Sequence, residues 1–395
     1  MMTFLKYIII FLFASNVNCS TSAKNKLGCR DNNNKLVDWY VMYKIPKLSH
    51  SNEPLIRNGS AYMYITSDSV NQGWDLSIKN VGEKNSMPGN TLASLYDDET
   101  SENLLWILYN DDPPDRSAVG SYGHAKGIVA VDQNQGFWMI HSVPNFPPVP
   151  RKGITSRRKT ASDTLSTIDI SFDGEYSYPT SGLVRGQSFL CITLKASEFD
   201  TVGRQLMYNQ IIVYRKNLPN DISNQYPILT DAANQVRIKD PPYNNKATIK
   251  SSASLEFVSF AKSDKWQKDL YDDFVAPQLR SNIFVESYLN GPGRLSSDCH
   301  GVQVHNIESV NLQAANVNFA SSQDHSKWVV TQTNKKNNSW VCVGDINRAD
   351  TQYNRGGGTV CLNLFQLWKS YRDSVNGIEP CPKRSIFSKI KSWFV

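Results

Sequence analysis

The chain has 395 residues, of which 40% are hydrophobic, and its formal net charge is +6 at pH 7. This is the composition of an ordinary globular protein, long enough to bury one large core or two halves. The modest positive charge permits attraction to a polyanion without establishing it, and protonation of the six histidines at acidic pH would strengthen that attraction.

The N-terminus has the pattern of a secretory signal peptide. Lys6 precedes an apolar run, residues 7–14, that is too short to span a bilayer, and small residues allow cleavage after Cys19. We therefore interpret residues 1–19 as a signal peptide. No later stretch reaches about 18 apolar residues, so a soluble mature protein without stable membrane association is expected. Its predicted location is the secretory pathway, leading to secretion or to the lysosome.

Six cysteines remain after this cleavage, an even number that indicates disulfide bonds formed in an oxidising compartment. Sequence alone leaves their pairing open. A metal site is the weaker alternative, because no two cysteines lie two to four residues apart and no histidine stands at ligand spacing from them. We expect no metal and no cofactor. Asn58 and Asn337 each begin an Asn-x-Ser sequon and are candidate glycosylation sites.

Strands and one helix are predicted before residue 150. Residues 37–46 alternate as a strand, with Trp39, Val41 and Tyr43 on one face. A second strand is predicted over residues 61–66. Leucines from 92 to 108 predict a helix over residues 91–109, which the prolines at 113 and 114 end. Residues 127–132 and 136–147 then predict a hairpin-like pair of apolar strands.

Two copies of a His-x-Lys motif are the strongest functional signal: the first motif is His124-Ala125-Lys126 and the second motif is His325-Ser326-Lys327. On a strand, the histidine and lysine of one motif face the same side. One imidazole can attack phosphorus or donate a proton while both ammonium groups neutralise phosphate oxygens, without a metal. A single copy also fits a surface strand with two polar residues. Two copies, each followed by apolar strands, favour two similar halves that close one site.

Residues near the motifs supply further candidates. Each strand pair after a motif ends in a polar residue followed two or three positions later by asparagine, so we predict that Asn145 and Asn347 occupy matching places beside the motifs. Asp345 is a candidate supporting residue. His141 either supports an imidazole or contacts phosphate, or it is a packed structural histidine, and both interpretations stay open.

The most basic short stretch lies between residues 149 and 160 and contains no acid. It is either a solvated loop or a segment that follows the phosphate backbone of a polyanion, since phosphate contacts require charge rather than sequence readout. Its basic residues are Arg151, Lys152, Arg157, Arg158 and Lys159.

The later elements repeat the order of the earlier ones. Residues 188–194 predict a buried strand, and residues 198–212 a helix that Ser197 caps. Residues 216–248, rich in Asn, Asp and Pro, are interpreted as a linker. A strand over 255–261, a helix over 268–278 and a strand over 282–288 precede the second motif. The triple glycine at 356–358 is interpreted as a hairpin turn rather than a phosphate cradle.

At these residues the sequence resembles the deoxyribonuclease II family. The matching blocks cover nearly the whole mature chain in order: residues 37–46, 123–148, 324–328, 344–348 and 355–361. The resemblance implies a mixed α/β fold of two phospholipase D-like halves, each with a central mixed sheet flanked by helices and related by a pseudo-twofold axis. The implied boundaries are a first half over 20–215, a linker over 216–248, a second half over 249–381 and a basic C-terminal tail over 382–395.

The resemblance also implies disulfides between Cys29 and Cys191, Cys299 and Cys381, and Cys342 and Cys361. The tail is either a segment that touches an anionic membrane or DNA, or a frayed terminus. The oligomeric state stays open.

The activity implied by the resemblance is that of an acid endonuclease that cuts double-stranded DNA without sequence preference or a divalent metal and leaves 3′-phosphates. His124, Lys126, His325 and Lys327 are the implied catalytic residues, and a phosphohistidine intermediate is the hypothesis. The chain departs from the phospholipase D pattern because Asp132 lies six residues beyond Lys126 and the second motif has no equivalent acid. The orienting partner of His325 is thereby undecided. A secreted DNA-binding or host-interaction protein without strong catalysis is the main alternative, and a lipid phosphodiesterase is the third.

Overall fold

The structure, a computed structural model, describes residues 26–150, 153–157, 168–172 and 174–382. The predicted signal peptide and residues 383–395 of the predicted tail lie outside the described residues. So do Arg151, Lys152, Arg158, Lys159 and the side chain of Arg157. Within the described part of the chain, no helix is both long enough and apolar enough to cross a membrane.

The first large sheet is formed by strands from the N-terminal part of the chain, and every pair in it is antiparallel. The strands of this part are β1 (Trp39–Lys44), β2 (Tyr62–Thr66), β3 (Asp75–Leu76), β4 (Leu105–Asn110), β5 (Lys126–Val131), β6 (Gln135–His141), β7 (Gly153–Arg157), β8 (Ile168–Phe172), β9 (Gln187–Lys195) and β10 (Val213–Asn217). Among the described residues the sheet order is β10-β4-β5-β6-β9-β1-β2-β3, while β7 and β8 pair with each other.

The second large sheet is formed by the strands that follow. They are β11 (Asn244–Lys250), β12 (Glu256–Lys262), β13 (Ile283–Glu286), β14 (Val304–Leu312), β15 (Val317–Ala320), β16 (Trp328–Thr331), β17 (Trp340–Gly344), β18 (Gly357–Asn363) and β19 (Val375–Ile378). Their order over the described residues is β11-β12-β18-β17-β16-β13-β14-β15, and β19 pairs with β14. The β13–β14 pair is parallel, so this sheet is mixed.

Helices flank the sheets, and most of them are short. They are α1 (Pro54–Asn58), α2 (Met87–Leu92), α3 (Asp98–Glu102), α4 (Thr180–Leu183), α5 (Phe199–Asn209), α6 (Asn220–Ser223), α7 (Pro227–Ala233), α8 (Ala276–Leu279) and α9 (Phe365–Ser374). A π-helical turn, Tyr271–Val275, leads into α8. The fold is therefore a mixed α/β architecture of two large sheets with helices packed on them.

Five adjoining strands have the same arrangement in the two sheets. The order β4-β5-β6-β9-β1 in the first sheet corresponds to β13-β16-β17-β18-β12 in the second, each in the same sequence of chain appearance. The central hairpins of the two series, β5–β6 and β16–β17, follow the two His-x-Lys motifs. The repeated strand order thus places both motifs at the start of equivalent central strands.

The main hydrophobic core lies between the two sheets and includes side chains from both of them and from α5 and α9. Alternation along β1 explains its part in this core, because Trp39, Val41 and Tyr43 point into it. Tyr40 and Met42 point instead into a second cluster on the other side of the first sheet. A third cluster covers the other side of the second sheet. Both sheets are therefore buried on two faces.

Most predicted strands are confirmed, but the predicted helix over residues 91–109 is wrong. Helix α2 ends at Leu92, α3 covers 98–102 with the side chain of Asp97 accepting from the Thr100 N–H, and residues 105–110 form β4. Every residue of β4 is buried. A strand buried on both faces carries a continuous apolar run, which resembles a helical stripe when only its leucines are counted.

Other predicted elements also need correction. The segment predicted as a linker, 216–248, contains α6, α7 and part of β11, and its residues Ile222 and Leu229 are buried in the core. Ser197 does not cap α5, since its hydroxyl contacts the neighbouring Glu198 carboxylate. The triple glycine is not a turn, because Gly357 and Gly358 already belong to β18.

Three disulfide bonds join Cys29 to Cys191, Cys299 to Cys381, and Cys342 to Cys361. These are the pairs that the family resemblance implies. The third bond links directly opposed residues of β17 and β18. The first joins the N-terminal segment to β9. Each of the three bonds lies within the part of the chain that forms one sheet.

Candidate active site

The two His-x-Lys motifs meet at the junction of the two sheets, where each is hydrogen-bonded to the sheet that does not contain it. The backbone N–H of His124 donates to the carbonyl of Gly356 at 2.8 Å, just before β18. The backbone N–H of His325 donates to the carbonyl of Gly186 at 2.9 Å, just before β9. Both acceptors are glycines at crowded positions: a Cβ on Gly186 would clash with the carboxylate of Asp324. This reciprocal pairing brings the motifs together.

The first motif is held by groups of opposite or complementary charge. Lys126 forms an ion pair with Asp111, which also binds Arg355 at 3.0 Å between Nη2 and Oδ2. Burial acts to raise the pKa of Asp111, but the charges of Lys126, His124 and Arg355 together lower it. The imidazole Nδ1 of His124 lies 2.8 Å from the side-chain oxygen of Gln352. The first motif is therefore fixed on both of its functional side chains.

The second motif lacks such partners. Lys327 is fully buried, and its Nζ donates to the carbonyl of His325 at 2.6 Å. Among the described residues, no carboxylate lies within ion-pair distance of this ammonium group. Burial, followed by the charge of Lys126, lowers the pKa of Lys327 to about 7. His325 Nδ1 is buried without a hydrogen-bond partner, and its ring packs edge-to-face on Tyr288 with centroids 4.5 Å apart.

Both imidazoles are held neutral in the free protein. Burial, then the charge of Lys126, lowers the pKa of His124 well below its usual value. Burial lowers the pKa of His325 strongly too, with further contributions from Lys327, Lys126 and His124. The charges of each motif act on the imidazole of the other, in agreement with the reciprocal backbone hydrogen bonds that bring the motifs together. Two ammonium groups beside two neutral imidazoles form a site suited to an anion.

Asp345 lies beside both lysines. Its Oδ1 accepts from the Gly358 N–H at 3.2 Å, and burial raises its pKa to about 7 against the opposing charges of Lys126 and Lys327. The carboxyl group is thus at the boundary between its neutral and ionised forms near neutral pH. Asp345 is a candidate for balancing charge when a substrate enters.

The two predicted asparagines do not make matching contacts. Asn145 has a positive φ of 58°, and its Nδ2 donates to the carbonyl and carboxylate of Asp112, each at 3.1 Å. This amide orders the loop after β4. Asn347 has a buried side-chain oxygen with no hydrogen-bond partner. Of the two, Asn347 keeps an unused polar group for a ligand.

His141 is packed as a structural histidine. It is fully buried between Phe146 and Phe189, with ring centroids at 5.2 and 5.6 Å, and its Nδ1 accepts from the Val143 N–H at 3.1 Å. Burial lowers its pKa well below the usual value. Its Nε2 has no partner. These contacts favour the packed interpretation over contact with phosphate.

A buried acid cluster lies behind the second motif. Asp324 accepts hydrogen bonds from the hydroxyl groups of Tyr43 and Ser326, and Glu286 accepts from Ser321 at 2.7 Å. Burial raises the pKa values of both Asp324 and Glu286. Both carboxyl groups therefore release their protons at a higher pH than ordinary carboxyl groups do.

Sequence reasoning missed several residues of this site, namely Asp111, Gln352, Arg355, Arg185 and Glu286. Asp111 lies just past the helix predicted over residues 91–109, whereas in the structure it directly follows Asn110, which pairs with Lys126 in the β4–β5 register. A correct strand assignment for 105–110 would have placed this acid next to the lysine. Gln352 and Glu286 carry no local signal, because long stretches of sequence separate them from the motifs that they approach.

The remaining predicted sites lie on the periphery. Asn58 and Asn337 are exposed, as a glycan acceptor requires. Cys299, Cys381 and His305 bring potential ligand atoms within 4.8 Å of one another, but the two cysteines are joined in a disulfide and offer no thiolate.

Comparison with known proteins gives consistent matches along the chain. A family model described as deoxyribonuclease II matches residues 28–381. Plancitoxin-1 of Acanthaster planci is 36% identical over 358 residues, which cover 90% of this chain and 92% of that protein. Deoxyribonuclease-2-alpha of Rattus norvegicus is 34% identical and covers 90% of this chain and 95% of its own length. Cell death-related nuclease 6 of Caenorhabditis elegans is 33% identical, covering 95% and 94%.

Proposed function

Because the chain belongs to the deoxyribonuclease II family and is a nuclease of the hydrolase class, we propose that it cleaves DNA at acidic pH by a metal-independent, two-step mechanism. The substrate is double-stranded DNA cut without sequence preference, and the products carry 3′-phosphates. The observation that carries this proposal is the pair of backbone hydrogen bonds, from His124 to Gly356 and from His325 to Gly186, by which each His-x-Lys motif is bound to the sheet of the other.

His124 is the nucleophile in this proposal. A hydrogen bond from Nδ1–H to the Gln352 oxygen leaves the Nε2 lone pair available for attack. A glutamine, unlike a carboxylate, does not favour the protonated imidazolium, which cannot attack. Nε2 forms a bond to phosphorus as the bond between phosphorus and the 5′ oxygen breaks. The product is a phosphohistidine whose phosphorus is still linked to the 3′ oxygen of the DNA.

His325 is the general acid and then the general base. When protonated, it gives its proton to the departing 5′ oxygen. In the second step, water attacks the phosphohistidine, gives a proton to His325 and releases the 3′-phosphate, so that both imidazoles return to their starting states. Lys126 and Lys327 bind the non-bridging phosphate oxygens through their ammonium groups.

The acidic optimum follows from the low pKa of His325 in the free site. Burial and neighbouring ammonium groups disfavour its protonated form. A bound phosphate supplies negative charge that opposes this effect, and a low pH supplies the proton. The four basic groups themselves stabilise the phosphate charge, which is the role that a divalent metal has in other nucleases.

Two structural expectations accompany the proposal. The repeated strand order supports two phospholipase D-like halves, 20–215 and 249–381, related by a pseudo-twofold axis through the site. The disulfides support a chain that matures in the secretory pathway, with secretion or a lysosome as its destination.

Plasmid cleavage at acidic pH in EDTA tests the proposed function. Nicking by the wild-type protein that disappears in His124→Ala and His325→Ala supports the nuclease. Intact plasmid that is retained tightly supports the DNA-binding alternative, and cleavage of phosphatidylcholine alone supports the lipid phosphodiesterase. An Arg204→Gln variant is a matched control, because this arginine is exposed on α5.

A further inference from the structure

Arg185 is fixed next to the second motif by the backbone that follows it. Its neighbour Gly186 donates its N–H to the Gln323 carbonyl at 3.0 Å and accepts from the His325 N–H at 2.9 Å. Within the described part of the chain, the guanidinium group has one hydrogen bond, from Nη1 to the Ser322 carbonyl. Among the described residues, no carboxylate lies within ion-pair distance of it. A guanidinium has five N–H donors, so most of its donors are available.

The charge of Arg185 acts on His325. It is one of the groups that, after burial and the lysines, lower the pKa of this imidazole. In the free protein a further cation next to a group that must accept a proton is unfavourable. An uncompensated arginine at this place is stabilised when an anion binds to it.

The scissile phosphate already has two cationic partners in the proposed function. Lys126 and Lys327 already supply an ammonium group for each of its non-bridging oxygens. Arg355, on the side of the first motif, gives the contrast: its guanidinium binds Asp111 and the carbonyls of Tyr122 and Gly123, each at 2.9–3.0 Å. The donors of Arg355 are thus used for contacts within the protein, whereas most donors of Arg185 are available to a ligand.

Tyr288 sets the position of this arginine. Its ring centroid lies 4.5 Å from that of His325 and 5.8 Å from the guanidinium carbon of Arg185. The ring therefore lies against both groups, with an edge-to-face contact to the imidazole and a cation–π contact to the guanidinium. Tyr288 is a positioning residue in this arrangement.

We propose that Arg185 binds the DNA phosphate immediately 3′ of the scissile one, on the side of the leaving nucleotide, while Tyr288 positions its guanidinium. The 3′ direction rests on the proposed function, in which His325 protonates the leaving 5′ oxygen and Arg185 lies beside His325. The preferred substrate is therefore a strand with two consecutive charged phosphates, cut at the 5′ member of the pair.

An oligonucleotide with two adjacent phosphodiesters in an otherwise methylphosphonate backbone tests this inference. Methylphosphonates are uncharged and resist the cut, so the two phosphodiesters compete within one molecule. The wild-type protein should cut the 5′ linkage about tenfold faster than the 3′ linkage, the effect of one charge-assisted hydrogen bond. Arg185→Gln should cut the two linkages at similar rates, and the Arg204→Gln control should keep the preference.

The ratio of products is independent of the amount of folded protein, which separates this test from a loss of stability. Equal cutting by the wild-type protein, a preference for the 3′ linkage, or an unchanged preference in Arg185→Gln overturns the proposal. Plasmid cleavage without any cut in the oligonucleotide also contradicts it, since one charged neighbour should suffice. Failure to cleave plasmid at all would instead overturn the proposed function.

Tyr288→Leu separates positioning from phosphate binding. We expect this variant to lose part of the preference for the 5′ linkage and also to alter the pH dependence of cleavage, because the ring contacts both Arg185 and His325. A variant that lowers the rate without changing either quantity would show that Tyr288 has no positioning role.

Discussion

The two His-x-Lys motifs have the same chemistry in different surroundings. Around the first motif, Lys126 is paired with Asp111 and the imidazole of His124 is hydrogen-bonded to Gln352. Around the second, Lys327 has no acid partner among the described residues and Nδ1 of His325 has no hydrogen bond. A pair of motifs that begins equivalent strands has thus become one compensated centre and one uncompensated centre.

This difference accounts for a division of labour. A nucleophile must be oriented before the substrate arrives, and the hydrogen bond to Gln352 provides that orientation. A general acid must change its protonation state during the reaction, and an imidazole among unpaired cations does so only when an anion is present. The second motif is consequently the one whose proton depends on substrate binding.

The largest expected effect comes from exchanging the two histidines for alanine. His124→Ala should reduce DNA cleavage by about 10⁴-fold because the nucleophile is lost. His325→Ala should reduce it by about 10²–10⁴-fold because the leaving oxygen is no longer protonated. In a substrate with sulfur in place of the 5′ oxygen, the leaving group is a thiolate that needs no proton. This substrate should therefore restore the first step in His325→Ala but not in His124→Ala.

Mass spectrometry of the protein then sharpens the assignment. In His325→Ala the thio-substrate should leave a phosphoryl adduct on the peptide that contains His124, since hydrolysis of the adduct is slow without the base. The same substrate should give no adduct in His124→Ala. An adduct on His325 would reverse the roles proposed for the two motifs.

The two lysines should differ in their effect on stability more than on activity. Either Lys126→Met or Lys327→Met should lower cleavage by about 10²-fold, because a cation that stabilises the transition state is lost. Lys126→Met should also cost about 1–3 kcal/mol of unfolding free energy, since the buried Asp111 then keeps only Arg355 as its partner. Lys327→Met removes an unpaired buried charge and should leave stability unchanged or higher.

Urea unfolding of the two variants measures this difference. Adding Asp111→Asn to Lys126→Met should recover stability without recovering activity, because the amide needs no cationic partner. Equal losses of stability in the two single variants would show that the contrast between compensated and uncompensated motifs has no energetic content.

A smaller effect is expected when Gln352 is made acidic. Gln352→Glu should raise the pKa of His124, because a carboxylate favours the imidazolium. The protonated nucleophile is inactive, so cleavage should fall most at the lowest pH and the optimum should move upward. Gln352→Ala should lower kcat without moving the optimum. An unchanged pH profile in Gln352→Glu would remove Gln352 from the site.

Much of this arrangement could be predicted from local sequence. The motifs and the apolar strands that follow them are contiguous, and period-two alternation located β1 and β12. The helix expected at 91–109 failed because β4 is buried on both faces, so its apolar run carries no strand period. That error also hid Asp111, whose place beside Lys126 depends on the register of β4.

The partners that distinguish the motifs come from distant segments. Gln352 reaches His124 across 228 positions of sequence, and Tyr43 reaches Asp324 across 281. No local periodicity encodes such contacts, since they depend on how the two sheets pack. The similarity of the motifs was therefore readable, whereas the asymmetry of their surroundings required the fold.

The smallest effect concerns the pH dependence of the unfolding free energy, on which His141 and Glu286 should act in opposite directions. His141 packs against Phe146 and Phe189, and burial, followed by Lys126, lowers its pKa. Below the ordinary histidine pKa, His141 binds a proton in the unfolded chain but not in the folded protein. Its contribution to stability is thus present above about pH 6.5 and is lost as the pH falls, by up to about 1.4 kcal/mol per pH unit.

Glu286, behind the second motif, has the reverse sign. Its raised pKa keeps the buried carboxyl protonated while the unfolded chain ionises. Its contribution is therefore complete below the ordinary glutamate pKa and declines as the pH rises toward the raised value.

Unfolding free energies measured against pH test both effects. In His141→Asn, whose side-chain oxygen can accept the Val143 N–H, the loss of stability at acidic pH should be smaller by the uptake of one proton. Glu286→Gln should instead gain stability relative to the wild type as the pH rises above about 4.5, because the amide cannot ionise. Parallel curves for all three proteins would mean that neither His141 nor Glu286 differs in proton binding between the folded and unfolded states.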